Sequence, residues 1–156
     1  MKGQKARPAG GSSKTQDSTL RVAVFYGPET GLARERADNL AKSVVPDLAD
    51  PFRVTSLTGE QLAQDPARIA DEAAAIPFGG GRKVVRVTDA PKGQTGQRQT
   101  QILKDFIAAP AGDALVIIEA GDLRKDHGLV KAAESGKNTL VVRCFPDDEA
   151  AIETLI

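Results

Sequence analysis

The sequence predicts an α/β fold: three layers, with a parallel five-stranded sheet between helices. Three observations carry that reading. Short apolar runs alternate with helical patterns from Leu20 onward. The runs at Val22 to Gly27 and Leu115 to Ile118 are almost continuously apolar, as strands covered on both faces must be. The first run breaks at Gly27, Pro28 and Gly31, and a helical pattern of Leu32, Ala33, Ala37, Leu40 and Ala41 follows at once. No internal repeat is visible.

The elements follow in order. Met1 to Thr19 holds four Lys or Arg and no apolar periodicity, so it cannot offset the entropy of ordering and reads as a flexible basic tail, more a solubilising leader than a phosphate-contacting arm. After the first strand and helix, Pro46 to Pro51 forms a loop and Phe52 to Leu57 a strand. Thr58 to Glu60 reads as an N-cap turn that opens a short helix to Asp65. Asp65 and Pro66 then restart it, because Asp caps well and Pro suits the first helical position; Ile69 to Ala75 continues it. Ile76 to Gly81 interrupts, and Val84 to Val87 is the third strand. Pro91 to Gln99 lacks a large apolar residue and reads as a surface loop. Gln97 to Ala109 carries Ile102, Leu103, Phe106 and Ile107 on one helical face. Leu115 to Ile118 is the fourth strand, Leu129 to Glu134 a helix capped by Asp126 and ended by Gly136, and Leu140 to Cys144 the fifth strand. Asp147 to Ile156 begins a last helix.

Composition narrows the function classes. The 156 residues suffice for one domain with a core. Lys and Arg balance Asp and Glu at net charge zero, which removes any chain-wide electrostatic argument for nucleic acid or an anionic membrane. No stretch approaches the ~20 apolar residues of a membrane span, and no apolar segment follows the basic N-terminus, so the chain reads as cytoplasmic. The single Cys144, inside an apolar strand, reads as a buried inert thiol.

The strand–turn–helix opening is the geometry of a phosphate-binding loop, since a helix N-terminus after a tight turn offers free N–H groups to an anion. The chemistry is missing. Gly27, Pro28, Glu29, Thr30 and Gly31 bring the glycines only four positions apart; Leu32 and Ala33 stand where Lys and Ser or Thr are needed, and Glu29 adds a negative charge. The third strand ends Val87-Thr88-Asp89-Ala90, so the acidic pair that would hold magnesium is reduced to Asp89, read as a turn residue. Glu119 and Asp122 form a carboxylate pair with no nucleophile beside it, and His127 is the lone histidine. No catalytic residue, metal site or cofactor is expected. Arg82, Lys83, Arg86, Lys92 and Arg98 cluster in sequence and read as a solvated face, with phosphate contact the alternative. The unusual feature is Ile76-Pro77-Phe78 before three glycines: either the wedge stands out as a partner's anchor, or Phe78 folds back into the core.

Several stretches together carry a resemblance: VAVFYGPETGLARERA, PDLADPFRV, DPARIADEAAAIPFGGGRKVVRV, GDALVIIEAGDLRKD and CFPDDEAAI. The chain resembles the N-terminal, AAA+-like domain of the delta subunit of bacterial DNA polymerase III, the clamp-loader subunit that opens the sliding clamp. The resemblance implies a P-loop-type fold that has lost ATP hydrolysis, a clamp-binding element at Ile76, Pro77, Phe78 and Gly79, and as partners the sliding clamp, the other clamp-loader subunits and DNA through the assembled complex. In the family the element reads Ser-Leu/Met-Phe before small residues and Arg. Aligned through Arg82, Pro77 falls on the Ser, Phe78 on the Leu/Met and Gly79 on the Phe. Either Phe78 substitutes one position early or clamp affinity is reduced. The expected division is a tail over 1–19, the clamp-binding domain over 20–145, and from 146 a helix leading toward lid and collar domains that the family carries and this sequence does not reach. An atypical nucleotide hydrolase and an α/β interaction module unrelated to replication are the competing readings.

Overall fold

The computed structural model describes residues 19–146. All but the last residue of the predicted tail, and the predicted helix from Asp147, lie outside the described residues. In chain order the elements are β1 (Val22–Tyr26), α1 (Thr30–Val44), β2 (Val54–Thr58), α2 (Gly59–Gln64), α3 (Arg68–Ala74), β3 (Val84–Thr88), α4 (Gly96–Ala108), β4 (Leu115–Gly121), α5 (Gly128–Ser135) and β5 (Thr139–Arg143).

The five strands form one parallel sheet in the order β2-β3-β4-β1-β5, which is the α/β architecture the apolar runs predict. Side chains alternate across it. Val22, Val24 and Tyr26 of β1 and Val116 and Ile118 of β4 join Leu103, Phe106, Leu129 and Val130 on the face that α4 and α5 cover. Ala23 and Phe25, with Leu115 and Ile117, join Leu32, Ala33, Ala37 and Ala41 of α1 on the opposite face. Small residues on α1 let its backbone approach the sheet closely, whereas larger ones on α4 fill a deeper layer.

Several boundaries differ from the sequence reading. β2 begins at Val54, because the Asp50 carboxylate accepts the Phe52 N–H at 2.9 Å and the Asp50 carbonyl accepts from Val54, so the turn runs two residues further. Phe52 is therefore in a turn and exposed. Thr58 caps α2 through a reciprocal pair with Gln61, the arrangement that best satisfies free amides at a helix start. Asp65 and Pro66 do not start α3: they occupy a turn, and α3 begins at Arg68 with no side-chain cap. Asp126 does not cap α5; the Nδ1 of His127 accepts the Leu129 N–H at 3.0 Å, while Asp126 faces Arg124. β5 is an edge strand and only half-buried, with Leu140 exposed, although Cys144 just beyond it is buried.

Leu103 sits at the centre of the α4 face with no exposed surface. Leu103→Ala is expected to destabilise the chain by about 2–5 kcal/mol, read as a lower urea midpoint at unchanged denaturant slope.

Candidate functional site

Two regions hold the residues singled out in the sequence. The first is the turn after β1, at the C-terminal ends of β1 and β4, where neighbouring strands connect in opposite directions and α/β sheets open a crevice. A groove of about 570 Å³ lies there, bounded by Thr30, Gly31, Arg34, Asp89, Lys92 and Glu119. The turn itself is closed by the protein. The Gly27 N–H donates to the Gly121 carbonyl at 2.7 Å, the Glu29 N–H to the Cys144 carbonyl at 3.1 Å, and the Thr30 N–H to the Pro28 carbonyl at 3.1 Å. Gly27 adopts φ 127 against the Cys144 backbone, so tightly that a Cβ there would collide with it. Three amides that a phosphate cradle would offer are thus bonded internally.

Beside the groove, the Arg86 guanidinium spans two carboxylates, 2.5 Å from Asp38 on α1 and 2.6 Å from Glu119 on β4; Arg34 approaches the other Glu119 oxygen at 3.7 Å. Burial opposes the Arg86 charge, but the bonds to Asp38 and Glu119 outweigh it and hold the pKa above the usual arginine range. The Glu119–Asp122 reading is thereby corrected. Both Glu119 oxygens face arginines, and Asp122 is exposed. Asp89 is an exposed turn residue at φ 53, with Lys92 3.8 Å away.

The basic cluster divides: Lys92 and Arg98 are exposed, as a solvated face would have them, while Arg82, Lys83 and Arg86 are paired within the protein. Arg82 donates to the carbonyls of Asp113 and Leu20, Lys83 is buried against Glu72 at 2.5 Å, and Arg86 is half-buried between Asp38 and Glu119. Parity along β3 sends alternate side chains to opposite faces, which scatters residues that adjoin in sequence. Gln99, read as the end of a surface loop, is 1% exposed. Its amide nitrogen donates to the Lys92 carbonyl and Thr95 Oγ1, and its oxygen accepts the Lys92 N–H. The signal was present: Gln99 lies four residues before Leu103, on the buried stripe of α4.

The second region is the loop between α3 and β3. Ile76 is 84% exposed and Phe78 87%, whereas Pro77 between them is buried. Phe78 therefore does not fold back into the core, and Gly79 is exposed beside it. The Gly80 N–H closes a turn on the Pro77 carbonyl at 2.9 Å, and Gly79, Gly80 and Gly81 run at φ 88, 80 and 88, a conformation that side chains rarely adopt.

The sequence reading missed what holds this loop. Arg53 reaches from the β2 turn to donate to the Gly80 carbonyl at 2.6 Å, with Asp50 3.7 Å behind it. Glu72, on the helix that leads into the loop, accepts from Lys83 at the start of β3 and from the Thr55 hydroxyl on β2, at 2.5 and 3.1 Å. Phe52, assigned to a strand by its apolarity, packs on Phe78 with ring centroids 6.5 Å apart.

The family described as DNA polymerase III, delta subunit, matches residues 24–145. The chain belongs to that family. Its fold is similar to that of the Bacillus subtilis DNA clamp loader delta protein, with a TM-score of 0.65 and 22% identity over 92% of this chain and 44% of that one. It is also similar to a DNA polymerase III gamma subunit-related protein of Thermotoga maritima, with a TM-score of 0.58 and 16% identity over 92% of this chain and 49% of that one. No curated protein matches. The chain spans less than half the length of both structural relatives. Among the described residues no helix of this delta-family chain is long and apolar enough to cross a membrane.

In this family member Glu72 joins β2, β3 and α3 beneath the exposed loop. The hydrogen bond from Lys83 holds its pKa below the ordinary carboxylate value against partial burial, and the Lys83 charge and Thr55 bond add to that. A carboxylate with a depressed folded-state pKa stabilises the fold above its unfolded pKa, about 4.3, and loses that contribution as pH falls through the lower folded value. The melting-temperature gap between wild type and Glu72→Gln is therefore expected to be widest near neutral pH and to shrink below about pH 4, measured by thermal melts across a pH series.

Proposed function

We propose that this chain is the clamp-binding part of a clamp-loader delta subunit: it docks on the sliding clamp through the loop at Ile76 to Gly79 and favours the open ring during DNA replication, with no ATP hydrolysis of its own. The observation that carries the reading is the loop. Two large apolar side chains, Ile76 and Phe78, stand almost fully in solvent on a turn braced from below by Arg53 and Glu72. Exposed apolar anchors on a rigid support are what a partner's pocket takes, since little further ordering is needed on binding.

The mechanism is mechanical. Docking energy opens a ring only if the chain binds the open form more tightly than the closed one, and that difference is all such a step requires. ATP would be bound and hydrolysed by other subunits, whose state would set whether this loop is presented. Residues 20–145 would form the docking domain. The closed turn at Gly27 to Gly31 supports the non-hydrolytic reading, because the Gly27, Glu29 and Thr30 amides are bonded to carbonyls and Leu32 and Ala33 fill the Lys and hydroxyl positions.

Surface plasmon resonance against an immobilised bacterial sliding clamp tests the proposal. Wild type is expected to bind, and Phe78→Ala to lose at least about tenfold in affinity; a wild-type chain that does not bind overturns it. In a separate melt, ATP with magnesium is expected to leave the melting temperature unchanged. An upward shift would favour the hydrolase reading instead.

A further inference from the structure

Among the described residues four large apolar side chains are exposed, and three of them, Phe52, Ile76 and Phe78, lie on the loop after α3 or against it. The fourth, Leu140, lies on the edge strand β5. Two of the three share the loop after α3. Phe52 comes from a different segment, the turn before β2, yet its ring meets that of Phe78 at 6.5 Å and an interplanar angle of 47°, within the range of attractive tilted pairs. The two segments are tied beneath the rings. Arg53, next to Phe52, donates to the Gly80 carbonyl, and the Asp50 carboxylate fixes the Phe52 N–H while lying 3.7 Å from the Arg53 guanidinium.

We infer that Phe52 is a second anchor of the same docking surface, held in register with Phe78 by the Arg53 bridge, and that the paired rings enter one apolar pocket of the sliding clamp. The inference rests on the docking function proposed above and adds a residue from a separate segment to it. The backbone supplies the reason for a second ring. Gly79 stands at φ 88, where an aromatic residue would be strained, so the loop itself cannot place a ring beside Phe78. Phe52 places one there from β2's side. Phe52 is 65% exposed, too much for a core role, and its turn is tethered at both the backbone and the neighbouring guanidinium, so the ring is presented with little freedom to lose on docking.

A double-mutant cycle on immobilised sliding clamp tests this, using wild type, Phe52→Ala, Phe78→Ala and the double variant, with Leu140→Ala as an exposed apolar control. Phe52→Ala is expected to weaken binding about tenfold, and the double variant to lose less than the product of the two single losses, as residues sharing a pocket do. Leu140→Ala is expected to bind as wild type. Wild-type affinity in Phe52→Ala beside a loss in Phe78→Ala overturns the inference and leaves the docking function standing. Equal losses in Phe52→Ala and Leu140→Ala also overturn it, since the contact would then be unspecific. Absence of binding by wild type overturns both the inference and the function it rests on.

Discussion

The structure depends on the burial of β1 and β4 on both faces. Five consecutive residues of β1 and the first four of β4 are buried, so nothing in the middle of the sheet can face water, and polar function is confined to the strand ends and the loops beyond them. At the C-terminal ends the chain must also satisfy the amides of the turn into α1. Gly121, the last residue of β4, and Cys144, just past β5, provide the carbonyls. An amide that donates to Gly121 or Cys144 is not free to hold a phosphate, and the close approach of Cys144 is possible only because Gly27 lacks a side chain.

Ionic contacts then fix the helices to the sheet. Arg86 on β3 ties Asp38 of α1 to Glu119 of β4, and Lys83, three residues earlier on the same segment, ties Glu72 of α3. Each of these cations is largely or wholly out of solvent, where losing one partner is far costlier than the pair is worth against an apolar substitute. Such contacts specify position more than they add stability. Arg86 sets α1 against the sheet beside the crevice, and Lys83 sets the end of α3, from which the exposed loop departs. The segment from Lys83 to Arg86 therefore touches both regions.

Fold class and strand identity were legible because they depend on a signal the sequence carries densely: apolar runs of period one or two in Val22 to Tyr26 and Leu115 to Ile118, against the 3.6 period of α1 and α4. Boundaries were less so. Phe52 reads as a strand residue on apolarity alone, while its fate is decided by the Asp50 carboxylate two positions earlier. Asp126 is the better capping type by statistics, yet His127 caps α5. The charged residues were the least legible. Arg82, Lys83 and Arg86 look like one basic run, and their partners Leu20, Glu72, Asp38, Glu119 and Asp113 lie 11 to 62 positions away in the chain. Long-range pairing of this kind has no local pattern. The exposure of Phe78 was not decided by the sequence either: three glycines offer no side chain to bury it, but a fold back into the core stayed open until the structure showed the ring in solvent.

The three glycines also limit what the loop can carry. Successive residues at φ between 80 and 88 turn the chain sharply, and a side chain at Gly79 would be strained there. Apolar surface can then come only from the residues before the glycines or from another segment brought alongside. Ile76 and Phe78 are the first source, with Pro77 turned inward between them as alternation along an extended stretch requires. Phe52 is the second. Its approach is not accidental to the fold, because the Arg53 backbone already pairs with Val84 at the start of the β2–β3 ladder and its side chain continues to Gly80. A single residue thus joins the ladder, the glycine turn and the Phe52 turn, which is why the Phe52 ring stands beside the loop.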